Sequence, residues 1–494
     1  MGLLRLFTPP LEQLATAAVE RAYIAGLDGQ PTFCRKTWEA DRQLRLEREI
    51  DESGKVYLPW RVDGHGELLL STATLMERER PYDLVVELAR GTINRVRSKA
   101  ETWRLAGLQL PEDLIAQIQA ACQTYIRAAT SQHDQEAAAS MAETAIRQGL
   151  DATLRLTAEY ARQTLQYRHA VTPTLPTLLA GNLGTSPVPT NAEPMFRATF
   201  NAAVVPFCWR DIQTAPDSWD WARYDRQVKW CSRYGLKIIG GPLVCLGRPS
   251  LPDWLATSPV DLAVVVKAAR HFVETAVERY RGQVHLWHGV AARTSAPWLS
   301  AEQNLGLTAS LIEAAHRRDA RTPVFVSIAQ PWGESVALQQ AALTPFQFMD
   351  FLLRADIEIA GIGLEIDFAY WPHGTLPRDV LEVIDQVELW ALLGLPLILL
   401  MAIPSDSGAD QLSHDSCQVL SSAFPGGPSP QNQKRAVDQL FPALLAKQSV
   451  QALVWNQVFE TAPYRHAHGG LFDARDLPKP ALSSLLALRR EHLS

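Results

Sequence analysis

Hydrophobic positions along the last two thirds of the chain alternate between two patterns. Short apolar runs recur eight times between residues 178 and 456, and amphipathic segments of helical length separate them. Apolar runs that alternate with helices are typical of buried parallel strands joined by right-handed crossovers. Eight such units over about 320 residues predict an α/β fold, a (β/α)8 TIM barrel. The rival, a doubly wound open sheet, is disfavoured because no GxGxxG turn follows the first run. The predicted strands are Leu178–Leu183, Thr199–Val205, Leu236–Val244, Val284–Val290, Val324–Ala329, Ile359–Ile366, Leu395–Ile403 and Val450–Asn456.

Two other patterns precede the barrel. In residues 1–80, the turn sequences DESG and DGHG separate the runs Leu44–Ile50, Lys55–Val62 and Glu67–Met76, which predicts an antiparallel meander joined by the earlier runs MGLLRLF and AYIAG. In residues 81–170, a period near 3.6 predicts three helices, the second beginning at Pro111 and the third covering Gln135–Tyr167. We therefore divide the chain into a β-rich module (1–80), a helical segment (81–170) and a barrel (171–494). Tyr57 and Trp60 of the β-rich module are either a sugar-stacking surface or core aromatics.

Composition excludes several classes of function. The chain has 494 residues and a net charge of −6, without a basic run, so we expect no nucleic acid partner. It lacks an apolar stretch of about 18 residues and a signal peptide, so we expect no membrane partner and a cytoplasmic location. The six cysteines lack CxxC spacing, and HExxH, P-loop and GxSxG motifs are missing. His466 and His468 could hold a metal, but two histidines in a glycine-containing loop more often bind backbone, so we expect no metal and no cofactor.

In a closed barrel, the residues that follow each strand line its C-terminal mouth. Half of the fourteen tryptophans fall at such positions, and polar side chains accompany them. Flat rings that stack on sugar faces, with polar groups for the hydroxyls, are what an oligosaccharide requires, although each indole could equally be core. The predicted sugar-binding residues are Trp209, Arg210, Trp254, His288, Arg293, Trp298, Gln330, Trp332, Tyr370, Trp371, Trp455 and Asn456, and Trp287 is the seventh tryptophan.

From about residue 172 to 493 the chain resembles the catalytic domain of glycoside hydrolase family 10, the retaining xylanases with a (β/α)8 barrel. The resemblance follows the order of the barrel, and its last segment is the most specific. The segments are FNAAVVPFCWRDIQ, GGPLVCLGRPSLPDWL, VERYRGQVHLWHGVAAR, IAGIGLEID, LPLILLMAI, VWNQ and GGLFDARDLPKPAL.

The sequence departs from the family at both catalytic positions. Where the family has its acid/base glutamate on strand four, this chain has Ala291 and Ala292. Where the family has its nucleophile on strand seven, it has Met401 or Ala402. Retaining hydrolysis needs two carboxylates about 5–5.5 Å apart. The resemblance therefore implies the barrel but not the family's mechanism.

Other carboxylates are candidates to replace the missing pair. Glu365 and Asp367 lie two residues apart on strand six, so both point to the same side. In an inverting mechanism, with carboxylates about 6.5–9.5 Å apart, Glu365 would be the general acid, and Glu334 or Asp367 the base. The alternative is that Glu365 forms an ion pair with Arg293 or Arg248. Two functions thus remain: hydrolysis of a short β-linked oligosaccharide, and a catalytically inactive pseudo-glycosidase that binds glycans or serves as a scaffold.

Overall fold

The computed structural model describes residues 2–8, 16–39, 42–246, 251–255, 261–294, 296, 298–338, 341–413, 417–460 and 464–493. Its first part contains two four-stranded sheets, ordered β4-β5-β1-β8 and β3-β2-β6-β7. Apolar side chains of both sheets share one buried cluster with the helices that follow. The elements are β1 (Gly2–Phe7), α1 (Thr16–Glu20), β2 (Tyr23–Ala25), β3 (Pro31–Thr32), β4 (Arg35–Glu39), β5 (Gln43–Arg48), β6 (Lys55–Val62), β7 (Gly66–Ser71) and β8 (Tyr82–Asp83).

The expected meander forms only in part. Strands β6 and β7 pair antiparallel, and the early runs form β1 and β2, as predicted. The expected pairing of the run at 44–50 with the run at 55–62 is wrong, because β5 pairs with β1 and β4. In that register Leu4 lies opposite Leu46 and Leu6 opposite Leu44, so four buried leucines share one face of the sheet. Burial of this face favours β1 as the partner of β5.

Three helices connect the β-rich part to the barrel, as the period predicts: α2 (Leu84–Leu105), α3 (Glu112–Thr130) and α4 (Gln135–Val171). The Asp83 side chain accepts a hydrogen bond from the amide of Val86 and so caps α2, while Pro111 occupies the N-cap of α3. The helices α2 and α4 contribute apolar side chains to both the N-terminal cluster and the barrel cluster. Within the described residues, no helix combines the length and apolarity needed to cross a membrane.

Eight parallel strands close into a barrel. Their order is β13-β10-β9-β21-β19-β17-β16-β15, and β13 also pairs with β15, which completes the ring. This ring confirms the (β/α)8 barrel and excludes the open sheet. The elements are β9 (Leu178–Asn182), α5 (Glu193–Thr199), β10 (Ala202–Val205), α6 (Trp209–Ile212), β11 (Gln213–Ala215), β12 (Ser218–Trp219), α7 (Ala222–Arg233), β13 (Lys237–Gly240), β14 (Val244–Cys245), α8 (Leu262–Arg279), β15 (Leu286–Ala292), α9 (Ala301–Arg318), β16 (Val324–Ala329), α10 (Glu334–Ala337), α11 (Pro345–Arg354), β17 (Gly361–Asp367), β18 (Tyr370–Trp371), α12 (Val380–Ala391), β19 (Leu397–Ala402), β20 (Gln418–Val419), α13 (Pro430–Leu445), β21 (Val450–Trp455) and α14 (Pro480–His492), with a short 3-10 helix at Ser421–Ala423.

Side chains alternate between the inside and the outside of this barrel. A small apolar cluster fills the interior, and intervening residues such as Ile362, Leu364 and Ile366 join the larger cluster beneath the helices. Because the period of a strand is two, Glu365 and Asp367 point inward at the carboxyl end of β17. The interior cluster comprises Ala180, Ala202, Val204, Ile239, Phe325, Ile398, Leu400, Ala452 and Val454.

Candidate functional site

A chain of hydrogen-bonded polar groups crosses the interior of the barrel at its C-terminal end. Ser327 Oγ lies 2.8 Å from His288 Nε2 and donates a hydrogen bond of 2.7 Å to Glu365 Oε1. The other oxygen of Glu365 accepts a bond of 3.2 Å from Arg465, whose second terminal nitrogen donates to Asp367 at 3.0 Å. One guanidinium therefore bridges Glu365 and Asp367, two of the three carboxylates that the sequence proposes for catalysis.

Burial and charge determine the protonation of this network. The ring of His288 stacks on Phe325, and burial lowers its pKa to about 4, so the imidazole is neutral at pH 7. For Asp367, burial tends to raise the pKa, but the positive charges of His466 and Arg465 outweigh it and lower the pKa below its usual value. The Nε2 atom of His466 lies 3.0 Å from Asp367 Oδ1. Asp367 is therefore ionised at neutral pH.

The loop that carries Arg465 is fixed by hydrogen bonds along its backbone. Residues 464–470 follow the last barrel strand, and side chains or amides from surrounding segments bind them. Arg465 is thus presented to the carboxylates by an anchored backbone. The bonds join the Gln457 side chain to the His466 amide (2.9 Å), Tyr370 Oη to the Ala467 carbonyl (2.8 Å), the Ser405 amide to the His468 carbonyl (3.0 Å) and Trp455 Nε1 to the Gly469 carbonyl (2.9 Å).

The positions that correspond to the family's catalytic glutamates contain no acid. Ala291 and Ala292 end β15, the fourth barrel strand, while Met401 and Ala402 end β19, the seventh. Ala292, Met401 and Ala402 are fully buried. Neither a proton donor nor a nucleophile is available from these strand ends.

Glu334 lies in a different environment from Glu365. It forms an ion pair of 2.8 Å with Arg378, and both side chains are about 1% exposed. Arg378 stacks over the ring of Trp332 and donates to the hydroxyl of Tyr23 in the N-terminal sheet. This pairing favours a structural role for Glu334 between the β-rich part and the barrel. Its role as catalytic base stays a prediction that these contacts do not support.

Four of the seven tryptophans assigned to the mouth are buried. Trp287 and Trp455 have no exposed surface, and Trp209 and Trp332 are 3% and 7% exposed. Trp209 donates its indole N–H to the side chain of Gln213. A ring enclosed in this way presents no face to a sugar. Burial therefore favours a packing role for Trp209, Trp332 and Trp455, although sequence reasoning assigns them to sugar binding.

Three tryptophans stay half-buried. Trp254 donates its N–H to the Gln213 carbonyl at 3.0 Å, and Trp298 donates to the Leu246 carbonyl at 3.2 Å. Trp254 follows the third barrel strand, β13, and Trp298 follows the fourth, β15, which places both on the rim. Trp371 instead packs beside a cluster shared with the N-terminal sheet.

The remaining predicted residues have varied partners. Arg210 forms an exposed ion pair of 2.8 Å with Asp253, whereas the charge of Arg293 contributes to the lowered pKa of Asp367. The Gln330 amide donates to two loop carbonyls, and Asn456 accepts from Asn182 at 3.4 Å. The ion-pair partner of Glu365 is Arg465 and not Arg293, one of the two predicted partners. The other, Arg248, lies outside the described residues.

The aromatics of the β-rich module face inward. Trp60 is buried in the N-terminal cluster, and Tyr57 stacks on Tyr23 with ring centres 4.9 Å apart. Tyr57 also donates to Glu382 of the barrel helix α12. These contacts favour the core interpretation of both residues.

Sequence reasoning missed Ser327 and Arg465. Ser327 could have been identified as the only polar residue of the apolar strand VFVSIA. It lies two residues after Phe325, so both side chains point into the barrel. Arg465 directly precedes His466 in the segment YRHAHGG, whose two histidines were considered as metal ligands. Those histidines have separate partners, Asp367 for His466 and the Gly408 carbonyl for His468. Among the described residues, no cluster of three or more potential metal ligands occurs.

These features define a (β/α)8 barrel with two carboxylates at its mouth that are paired with one arginine. The family model for glycosyl hydrolase family 10 matches residues 185–293, which confirms the resemblance over that part of the barrel. Similar solved structures include xylanase B from Clostridium stercorarium F9, at 16% identity, with 63% of this chain and 96% of that chain covered and a TM-score of 0.48. Xylanase 10B from Thermotoga maritima is 15% identical, with 65% and 98% covered and a TM-score of 0.49. No curated protein matches the sequence.

Proposed function

We propose that this family 10-like barrel binds a saccharide at the rim of its mouth and does not hydrolyse it by the family's two-carboxylate mechanism. The observation that carries the proposal is Arg465, which binds Glu365 and Asp367 together while alanine and methionine stand at the family's catalytic positions. The protein would then be a pseudo-glycosidase that keeps the barrel and binds glycans.

The charge state of the carboxylates supports the absence of hydrolysis. A general acid must carry a proton at working pH, and a general base needs an unoccupied lone pair beside the attacking water. Asp367 stays ionised because its pKa is lowered, and its two oxygens face Arg465 and His466. The two oxygens of Glu365 accept hydrogen bonds from Ser327 and Arg465. Both carboxylates are thus engaged by protein groups.

The binding half of the proposal rests on Trp254 and Trp298. Each indole N–H is bonded to a backbone carbonyl, so the orientation of each ring is fixed before a ligand arrives. A pre-oriented flat ring loses little freedom on binding, and its apolar face suits the apolar face of a pyranose. Arg293 and the exposed part of Arg465 would supply hydrogen bonds to hydroxyl groups.

The second candidate is hydrolysis with Glu365 as general acid and Asp367 as base. It is favoured by the position of the two carboxylates, which lie two residues apart on β17 and point to the same side. In this case a bound sugar would have to displace Arg465 from both. Replacing Glu365 with Gln would abolish turnover and leave glycan binding in place.

A single experiment separates the candidates. The protein is mixed with xylo-, cello- and manno-oligosaccharides, binding is measured by calorimetry, and new reducing ends are counted. We expect binding without cleavage, weakened about two- to tenfold in Trp298→Ala because a lost aromatic contact costs about 0.5–1.5 kcal/mol. Trp38→Ala, at a half-exposed indole of β4, is the matched control and should bind like the wild type. Cleavage that Glu365→Gln abolishes would support hydrolysis, and neither binding nor cleavage would leave a structural role.

A further inference from the structure

Two histidines join the end of the helical segment to the end of the barrel. His169 lies in the last turn of α4 and His492 in the last turn of α14. Their imidazoles are stacked with centres 5.1 Å apart, and His169 Nε2 lies 2.8 Å from His492 Nδ1. The same contact includes a backbone bond of 2.9 Å from the Leu175 amide to the His492 carbonyl. The two rings therefore fasten the connection at 172–175 to the last helix.

The hydrogen bonds of the pair determine where its protons lie. His169 Nδ1 is 2.9 Å from the Pro173 carbonyl, which can only accept, so Nδ1 carries a hydrogen. The neutral ring of His169 therefore has its lone pair at Nε2 and accepts from Nδ1 of His492. Once His492 is protonated at Nε2, a second proton at His169 Nε2 would place two N–H groups against each other and two positive rings in contact. The pair can hold one extra proton without losing its bond, but not two.

The surroundings do not offset a second positive charge. On α14, Glu491 has its carboxylate 3.8 Å from His492 Nε2, and it is largely exposed. Burial lowers the pKa of His492, and the charge of Glu491 opposes this while that of His169 adds to it. Four cations of the neighbouring helices already have partners in the structure. They are Arg162 with Glu159 and Arg168 with the Leu445 carbonyl on α4, Lys434 with Asp438 on α13, and Arg489 with the Arg197 carbonyl of α5.

The pair also stands at one end of a groove. Side chains of α4, α13 and α14 line a space of about 870 Å³, and both histidines belong to its wall. Leu165 and Phe441 are among the apolar residues that line it. Because His492 lies in the last turn of α14, a movement of this turn away from α4 would widen the groove.

We propose that His169 and His492 form an acid-sensitive latch, which holds the last turn of α14 against α4 at neutral pH and releases it when both rings are protonated. A group whose native pKa is lowered stabilises the native state above its ordinary pKa, and this contribution is lost as the pH falls through the native pKa. Acidification below about pH 6.5 therefore weakens the contact and widens the groove.

Amide hydrogen exchange and thermal unfolding at pH 7 and pH 5 test the latch. His492→Asn is the informative variant, because its side-chain N–H lies near the position of Nδ1 and does not titrate. His133→Asn, at an exposed histidine between α3 and α4, is the matched control. In the wild type and the control, the protection of the Leu175 amide, corrected for intrinsic exchange, should fall from pH 7 to pH 5, because the contact loses its stabilisation as the pH drops below the ordinary pKa of a histidine. In His492→Asn it should change little.

Equal losses of protection in the wild type and His492→Asn would overturn the proposal. Should His492→Asn fail to fold, imidazole signals of the wild-type protein answer the same question. The latch requires the pKa of His492 to lie below the ordinary value of a histidine. A His492 ring that titrates at or above that ordinary value would also overturn it.

Discussion

Replacing Arg465 with Ala removes the cation that bridges Glu365 and Asp367. The two carboxylates are only 6% and 4% exposed, so they depend on protein groups to compensate their charge. Removing one partner of a buried ion pair costs about 3–5 kcal/mol, because a buried charge is left without compensation. Arg465 itself is 30% exposed, and His466 remains beside Asp367, so the loss should lie at or below the low end of this range. We expect the free energy of unfolding at pH 7 to fall by about 2–3 kcal/mol.

The stability loss in Arg465→Ala should become smaller at acidic pH. The lowered pKa of Asp367 means that its ion pairs stabilise the wild type above the ordinary pKa of an aspartate, and that this contribution is lost on acidification. In Arg465→Ala the pKa of Asp367 rises, since Arg465 is one of the charges that lower it. The variant then takes up a proton that the wild type does not bind, and the stability difference shrinks as the pH falls below about 4.

Urea unfolding at pH 7 and at about pH 3 measures both quantities. Arg354→Ala is the matched control, since Arg354 pairs with Asp350 at 2.7 Å but is 75% exposed. This control should change stability by less than about 0.5 kcal/mol at either pH. Arg465→Lys keeps the charge without the two-nitrogen bridge and should fall between wild type and Arg465→Ala. Unchanged stability of Arg465→Ala at pH 7, or an equal loss at both pH values, would refute the bridging role.

Two further substitutions test other parts of the account. Gly363→Ala would place a Cβ atom 2.7 Å from the Cβ of Ser327 and 2.9 Å from the Phe325 ring, so we expect a loss of about 1–3 kcal/mol in chemical unfolding. Unchanged stability would show that the interior is looser than the distances indicate. Arg378→Met leaves Glu334 buried without its cation and should cost about 3–5 kcal/mol, of which the double variant with Glu334→Gln regains a part. Strictly additive losses would argue against their ion pair.

The barrel could be predicted from the sequence because its physical cause is local. Each barrel strand is an apolar run buried on both faces, and the helices between them leave parallel pairing as the natural arrangement. Pairing in the N-terminal part is not local. The sequence DESG marks a reversal after β5 but does not reveal that β5 pairs with β1, about 40 residues earlier along the chain.

The candidate site divides in the same way. A period of two is enough to place Glu365 and Asp367 on one side of β17, but their partner Arg465 lies 100 and 98 residues further along the chain. No local pattern connects residues at that separation. Likewise, a tryptophan that follows a strand must lie near the mouth, yet tertiary packing alone decides whether its ring turns into the core, as Trp209 does, or stays half-exposed, as Trp298 does.

The absence of family-type hydrolysis is tested most directly by a long incubation of the wild-type protein and Glu365→Gln with xylo-, cello- and manno-oligosaccharides that the wild type binds by calorimetry. We expect no new reducing ends above a protein-free control from either protein. Reducing ends that accumulate with the wild type and not with Glu365→Gln would contradict this account, because they would mean that Glu365 acts as a catalytic acid despite its bond to Arg465.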